Sequence, residues 1–401
     1  MYDLNILNIP NELVSDTKLL FGILFLNFVF NTALTMWSSV PYIVNRLYLD
    51  SIVNAQVAII RAIIIVVLFA LFSPKLYYVA IATLIAGLIN YSYNLYYKVN
   101  LLPEFKVKRQ YFSWAVIKEL LSSGVWNSIS SLGTTLTNGL DLLITNLFVS
   151  PLDMGVLSIA KTMPSFIETL NEQIAMAFSP SMIMDYSRED LDSLKSTIKQ
   201  SSRIISVICS LPLGFLIVFG DKFYALWQPT QNAKTLQILS IITISGRIIF
   251  TGIQPLFNVF TVVNKVKQNS IVTIINGIAS AVITFVLVKT TNLGVYAVAG
   301  VSVVCCAIKN LAYVVPYSAK YLGLNKSTFY STIFDSAICT FVLCVVGYLI
   351  RMFMICNTWV NLIITAILFC GIGFVCTSFV VLKKNERKLL YNKIKGILLK
   401  K

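Results

Sequence analysis

The sequence predicts an all-α, polytopic helical membrane protein with about eleven transmembrane helices. Of 401 residues, 57% are hydrophobic and only 12% charged, and mean hydropathy is +0.79; soluble domains carry about 25% charge. The apolar residues fall in blocks of about 18 to 25, the length at which a helix crosses a hydrocarbon core of about 30 Å. The strands of a membrane barrel would instead alternate over short stretches.

The blocks begin near Lys18, Ile52, Lys75, Val125, Gly155, Ile204, Leu236, Ser270, Leu293, Thr332 and Val360. The longest connections, residues 98–124 and 184–203, leave no room for a separate soluble domain. Three segments are expected: 1–122 with three spans and a cytoplasmic amphipathic stretch, 123–320 with six spans, and 321–401 with two spans and a basic tail.

Most of the 32 Lys and Arg residues lie between blocks, and fall on one side when eleven spans are threaded with the C-terminus inside. Cytoplasmic loops accumulate such residues, so this orientation is expected, and it leaves the N-terminus outside. The net charge of +15 is thus a topological signal, and no nucleic-acid partner is expected. The tail KKNERKLLYNKIKGILLKK suits an anionic inner leaflet. The mixed basic and aromatic stretch between Lys106 and Leu121 reads as an interfacial helix.

Enzyme chemistry finds few carriers. Histidine is absent, removing the usual proton shuttle and the commonest metal ligand. The eight cysteines sit in or beside apolar blocks without CxxC spacing and read as small core residues. There is no GxxxxGK[ST] loop; GLNKST from Gly323 lacks the Gly-Lys pair. Asp190 and Asp192 have the spacing some sugar transferases use on a metal, but the short polar connection around them reads as a solvated loop. No cofactor and no metal are expected.

The informative residues are ionisable groups inside spans, which are costly there and are paired, cavity-facing or functional. They are Arg61, Asp141, Lys161, Glu168, Glu172, Arg247 and Lys309. At about 1.5 Å per residue, Asp141 and Lys161 come out about 10 and 9 Å below the outer surface on consecutive antiparallel helices. An ion pair is expected there, serving as a structural clamp or as a gate. Glu168 and Arg247 both lie about 20 Å deep, Glu172 deeper, and Arg61 about 16 Å. Arg61 and Arg247 need either a carboxylate on another span or a hydrated cavity. Lys309 and Arg203 read as residues near cytoplasmic ends that snorkel. Pro164, Pro212, Pro255 and Pro316 interrupt helix hydrogen bonding within or near spans, as broken helices do around transport sites.

Residues 124–167, GVWNSISSLGTTLTNGLDLLITNLFVSPLDMGVLSIAKTMPSFI, resemble the seventh and eighth helices of O-antigen and capsule flippases in the multidrug/oligosaccharidyl-lipid/polysaccharide exporter superfamily. PYIVNRLYL from Pro41 and LLPEF from Leu101 extend the likeness. The resemblance implies two six-helix lobes around a central cavity, often with two further helices. It also implies alternating access for a saccharide joined through pyrophosphate to undecaprenol, in a bacterial cytoplasmic membrane, driven by a coupling proton or sodium ion and working beside other polysaccharide-assembly membrane proteins. Matched this way, three spans precede Gly124 where six are expected, so the resemblance implies a chain without the family's first three helices, which are half of the first lobe.

A pyrophosphate head needs Arg or Lys in a dehydrated cavity. The cavity residues expected are Arg61, Asn127, Asn138, Asp141, Lys161, Glu168 and Arg247, with Ser130, Thr134 and Thr137 on the same polar stripe of the fourth span facing the sugars. Three other functions compete. A drug/cation antiporter of the same superfamily needs acidic groups in its lumen, and both signs occur here. A membrane-embedded polymerase or transferase on the same lipid-linked sugars would show a sizeable outer loop with acid/base residues. An inactive truncated flippase would show no transport.

Overall fold

The computed structural model describes residues 13–44, 46–104 and 112–388. The described residues are helical with no β-strand, and the chain divides into two compact units, Met1–Ile117 and Lys118–Lys401.

The first unit contains α1 (Val14–Leu34), a 3₁₀ turn (Thr35–Ser39), α2 (Val40–Ile43), α3 (Leu47–Leu71) and α4 (Tyr77–Leu101). Helix α4 packs against both α1 and α3. Its buried residues Ala80, Ala82 and Ala86 are small enough to let the backbones approach, the usual device where lipid offers no hydrophobic drive between helices.

The remaining helices are α5 (Trp114–Asn138), α6 (Leu140–Phe148), α7 (Pro151–Met176), α8 (Ser179–Ser187), α9 (Leu191–Trp227), α10 (Ala233–Phe250), α11 (Gln254–Val262), α12 (Val266–Thr290), α13 (Val295–Lys309), α14 (Val315–Tyr321), α15 (Ser331–Phe353) and α16 (Trp359–Val381). Helix α9 is the axis of the second unit, packed along α15, α10 and α16. It starts earlier than the apolar block near Ile204 suggested. Asp190 caps it by accepting a hydrogen bond from Ser193 N at 2.9 Å, so the Asp190/Asp192 pair belongs to a helix start. The segment GLNKST likewise makes a turn: Asn325 Oδ1 accepts from Ser327 N at 3.1 Å.

Nine helices among the described residues are long and apolar enough to cross a membrane. The packing pattern agrees with that medium. On α15, Thr332, Ser336, Cys339, Thr340, Leu343 and Gly347 are buried, while Phe334, Phe341, Tyr348 and Phe353 are exposed. Small and polar residues inside with large apolar residues outside is the arrangement of a helix solvated by lipid. The two remaining long helical segments, α5/α6 and α7, stand where the sequence places spans four and five, and their polar content keeps them outside the nine. From Trp114 the stretch read as an interfacial helix is continuous with α5; its residues 106–111, like 389–401 of the basic tail, lie outside the described residues.

Helices α5 and α12 cross at two glycines. A Cβ on Gly277 would lie 2.6 Å from the carbonyl oxygen of Gly133, and one on Gly133 would lie 2.7 Å from Ile274 N. Backbone atoms cannot swing aside as a side chain can, so Gly277→Val should separate the helices, costing about 1–3 kcal/mol or more. Gly300→Ala, which meets no atom within 4 Å, should leave stability unchanged or raise it. Thermal unfolding in detergent checks both; equal melting of the wild type and Gly277→Val would show the crossing to be plastic.

Candidate functional site

Three rods of the second unit are broken at mid-length, and each break brings a charge inward. Helix α5 ends at Asn138 and α6 restarts at Leu140, placing Asp141 in the first turn of α6. Helix α10 passes through a 3₁₀ turn, Thr251–Ile253, into α11, with Pro255 in its first turn and Arg247 one turn before the break. Helix α13 ends at Lys309, followed by a π-helical turn at Asn310–Val314 and then α14 with Pro316 near its start. Proline cannot donate to the preceding turn, and π-turns collect at functional sites.

Helix α7, which packs against α6, α10, α11 and α13, carries Pro164 in its interior. That proline leaves the carbonyl of Ala160, four residues earlier, without its helical donor. Ser240 Oγ supplies the missing bond at 2.7 Å, and the Tyr224 hydroxyl lies 2.6 Å from Ser240 Oγ. This buried polar chain fixes the turn of α7 between Lys161 and Glu168. In lipid, a carbonyl freed by proline needs such a partner.

Lys161 Nζ is 2.9 Å from Asp141 Oδ2, so the two charges placed at one depth by helix arithmetic do pair. Ser302 Oγ lies 3.0 Å from Asp141 Oδ1 and 3.1 Å from both Asp141 Oδ2 and the Thr137 carbonyl oxygen, so one hydroxyl proton is shared among acceptors on α5 and α6. The side chains are 16% exposed for Lys161 and 6% for Asp141, which makes this a buried pair. Arg247 donates through Nη2 to Glu168, and its Nη1 lies 3.4 Å from Gln254 Oε1. Here the side chains are 29% and 28% exposed: this second pair opens onto a cavity.

Two adjoining cavities of about 180 and 260 Å³ share Glu168, Arg247, Phe257, Cys306 and Lys309 as walls. The first reaches the Asp141–Lys161 pair; the second reaches Ser130, Thr134 and Thr137 on α5 and Glu172 on α7. The first lies where two apolar clusters meet, since Ile244 belongs to one, Phe250 to the other, and both line it. Two amide oxygens in the walls, Asn310 Oδ1 and Asn269 Oδ1, are buried with no hydrogen-bond partner among the described residues.

Of the expected cavity residues, Asp141, Lys161, Glu168 and Arg247 are brought together here. Asn127 is exposed on α5 and lines neither cavity; the side chain of Asn138 lies outside the described residues. Arg61 sits on α3 of the first unit, exposed and without a hydrogen bond or ion pair among the described residues. Arg203 is engaged structurally, its Nε 3.0 Å from Glu386 Oε2.

Lys309 corrects the sequence reading. It was placed near a cytoplasmic end, but the π-turn and α14 prolong the helix into a 27-residue span, Val295–Tyr321, and Lys309 falls near its middle. It lines both cavities, its Nζ 5.7 Å from the Phe257 ring centroid, and no carboxylate pairs with it among the described residues. The signal was Pro316, which marks the helix as continuing irregularly. Nothing in the sequence distinguished Gln254, Ser240 or Tyr224.

Broken helices, buried ion pairs and charged cavities define a multi-pass membrane protein built around an internal polar site. The chain belongs to the polysaccharide biosynthesis protein family, whose model matches residues 16–226. It is 25% identical over 398 residues to "Uncharacterized membrane protein EpsK" of Bacillus subtilis (strain 168), covering 98% of this chain and 78% of that protein. No solved structure matches the chain.

Proposed function

We propose that this protein is a flippase, a transporter and not an enzyme. It moves undecaprenyl-pyrophosphate-linked oligosaccharide units across the bacterial cytoplasmic membrane, with its C-terminus in the cytoplasm, for a surface polysaccharide such as O-antigen or capsule. The observation that carries this reading is Lys309 beside the exposed face of Arg247, in a cavity shared with the hydroxyls of Ser130 and Thr134. A guanidinium has five N–H donors, and Glu168 and Gln254 engage only part of that set. The remainder, with an ammonium group, suits a pyrophosphate, while the α5 hydroxyls and the two unpartnered amide oxygens suit sugar hydroxyls. The three-segment organisation, with residues 123–320 as the six-helix lobe, and a proton or sodium ion as the coupling species belong to the same reading.

The test is transbilayer movement in proteoliposomes of fluorescent undecaprenyl-pyrophosphate-linked sugar. Movement should be at least about tenfold faster than in empty liposomes. Lys309→Ala should remove most of that gain, since a charge-assisted contact is worth about 1.5–3 kcal/mol and each 1.4 kcal/mol is a factor of ten. No acceleration, together with gradient-driven efflux of a cationic dye, would instead identify the antiporter of the same superfamily.

A further inference from the structure

The first unit has a polar cleft of its own, about 140 Å³ in volume, between α1 and α4. Its walls include Asn27 and Asn31 on α1, Thr35 on the following 3₁₀ turn, and Asn90, Tyr91 and Asn94 on α4. Gly87 provides the room for the Asn27 amide, since a Cβ there would come within 3.0 Å of Asn27 Oδ1. Four amides lining one cleft of a lipid-embedded unit are expensive unless they meet partners.

The amides are partly satisfied, in a directed chain. Asn94 Nδ2 donates to Asn90 Oδ1 at 2.8 Å, Asn90 Nδ2 to Asn54 Oδ1 at 3.3 Å, and Asn54 Nδ2 to Asp50 Oδ2 at 3.0 Å. A separate bond runs from Asn31 Nδ2 to Asn27 Oδ1 at 3.1 Å. Each amide offers two donor hydrogens and an oxygen acceptor. The bonds therefore leave Asn94 Oδ1 and Asn31 Oδ1 as acceptors, and the Asn27 Nδ2 hydrogens as donors, with no partner among the described residues. Only the Asn90–Asn54 bond joins two helices; the other three stay within one helix each.

The mixture of groups selects the ligand. An anion calls for donors and cations, and a metal ion calls for acceptors and carboxylates. The cleft offers donors and acceptors together, with an aromatic ring at Tyr91, and none of its lining side chains is charged among the described residues. A hydroxyl group both donates and accepts, so neighbouring hydroxyls on a sugar ring match such a set. We infer that this cleft binds the uncharged, hydroxyl-bearing part of a saccharide. It is walled by the last turns of α1, the following 3₁₀ turn and the middle of α4, and in the orientation proposed above the end of α1 faces the cytoplasm. Binding itself does not depend on that orientation or on the cavity of the second unit.

The experiment is saturation-transfer NMR on the full chain in nanodiscs, with glucose, galactose, mannose, N-acetylglucosamine and N-acetylgalactosamine as neutral probes and glucuronate and sodium pyrophosphate as charged ones. At least one neutral sugar should give a saturable signal in the millimolar range. Asn27→Ala with Asn31→Ala should weaken it about tenfold or more, as expected for two hydrogen-bonding groups. Thr35→Leu, which narrows the cleft and leaves the amides in place, should do the same. No signal from any neutral sugar would overturn the inference, as would a signal untouched by both the double variant and Thr35→Leu. Failed transport with intact sugar binding would count only against the flippase reading.

Discussion

Asp141→Asn and Lys161→Met are each expected to destabilise the protein strongly and to stop polymer export, while the exchange Asp141→Lys with Lys161→Asp recovers part of both. The pair is buried, at 6% and 16% side-chain exposure, so removing one partner takes the ion pair from a charge in the interior, a loss of about 3–5 kcal/mol. In the exchange, Ser302 and the Thr137 carbonyl, which now surround the carboxylate, can accept from an ammonium instead, because hydroxyl and carbonyl oxygens both carry lone pairs. A third variant separates clamp from gate. Asp141→Leu with Lys161→Leu removes both charges at similar volume, a change that is often neutral or stabilising. If the pair only clamps α6 to α7, this variant should melt like the wild type and export polymer; if the pair opens and closes during transport, it should melt normally and export nothing. Single variants as stable as the wild type would show that the pair contributes little to either.

Helix lengths and pair depths were legible in the sequence for a simple reason: both depend on rise per residue along regular helices. Apolar blocks of spanning length located the helices, and counting at about 1.5 Å per residue put Asp141 level with Lys161 and Glu168 level with Arg247. The arithmetic failed where the backbone leaves the regular helix. Lys309 was assigned to an end because the π-turn at Asn310–Val314 and the continuation through α14 are not marked by apolar periodicity. Spacing along α5 puts Asn127 with Ser130, Thr134 and Thr137, yet of these only the last three reach the cavity. Ser240 and Tyr224 were invisible for another reason. Their role is to serve the carbonyl that Pro164 frees on a different helix, and the sequence of α7 does not say which neighbour will do it.

Arg247→Ala is expected to abolish surface polymer in a producing strain, with or without Glu168→Ala, while Arg247→Lys retains a part. The case rests on how differently the two ion pairs are placed. Arg247 and Glu168 are 29% and 28% exposed, open enough for the arginine to exchange a carboxylate for an incoming phosphate without a large rearrangement. If Glu168 is only a counter-ion holding the empty cavity neutral, removing it together with Arg247 leaves no stranded charge, and the protein should remain stable in the membrane. Transport should still fail, because the group proposed to bind the anionic head is gone. Lysine keeps the positive charge but loses the planar two-pronged geometry that matches phosphate oxygens, which is why partial activity is expected from it. A purely structural arginine gives the opposite pattern: Arg247→Ala alone is harmful because Glu168 is stranded, and the double alanine variant is restored. The measurement is polymer at the cell surface alongside the amount of protein in the membrane for all three variants. Normal polymer from the double variant, at normal protein level, would show that Arg247 holds the fold and not the substrate.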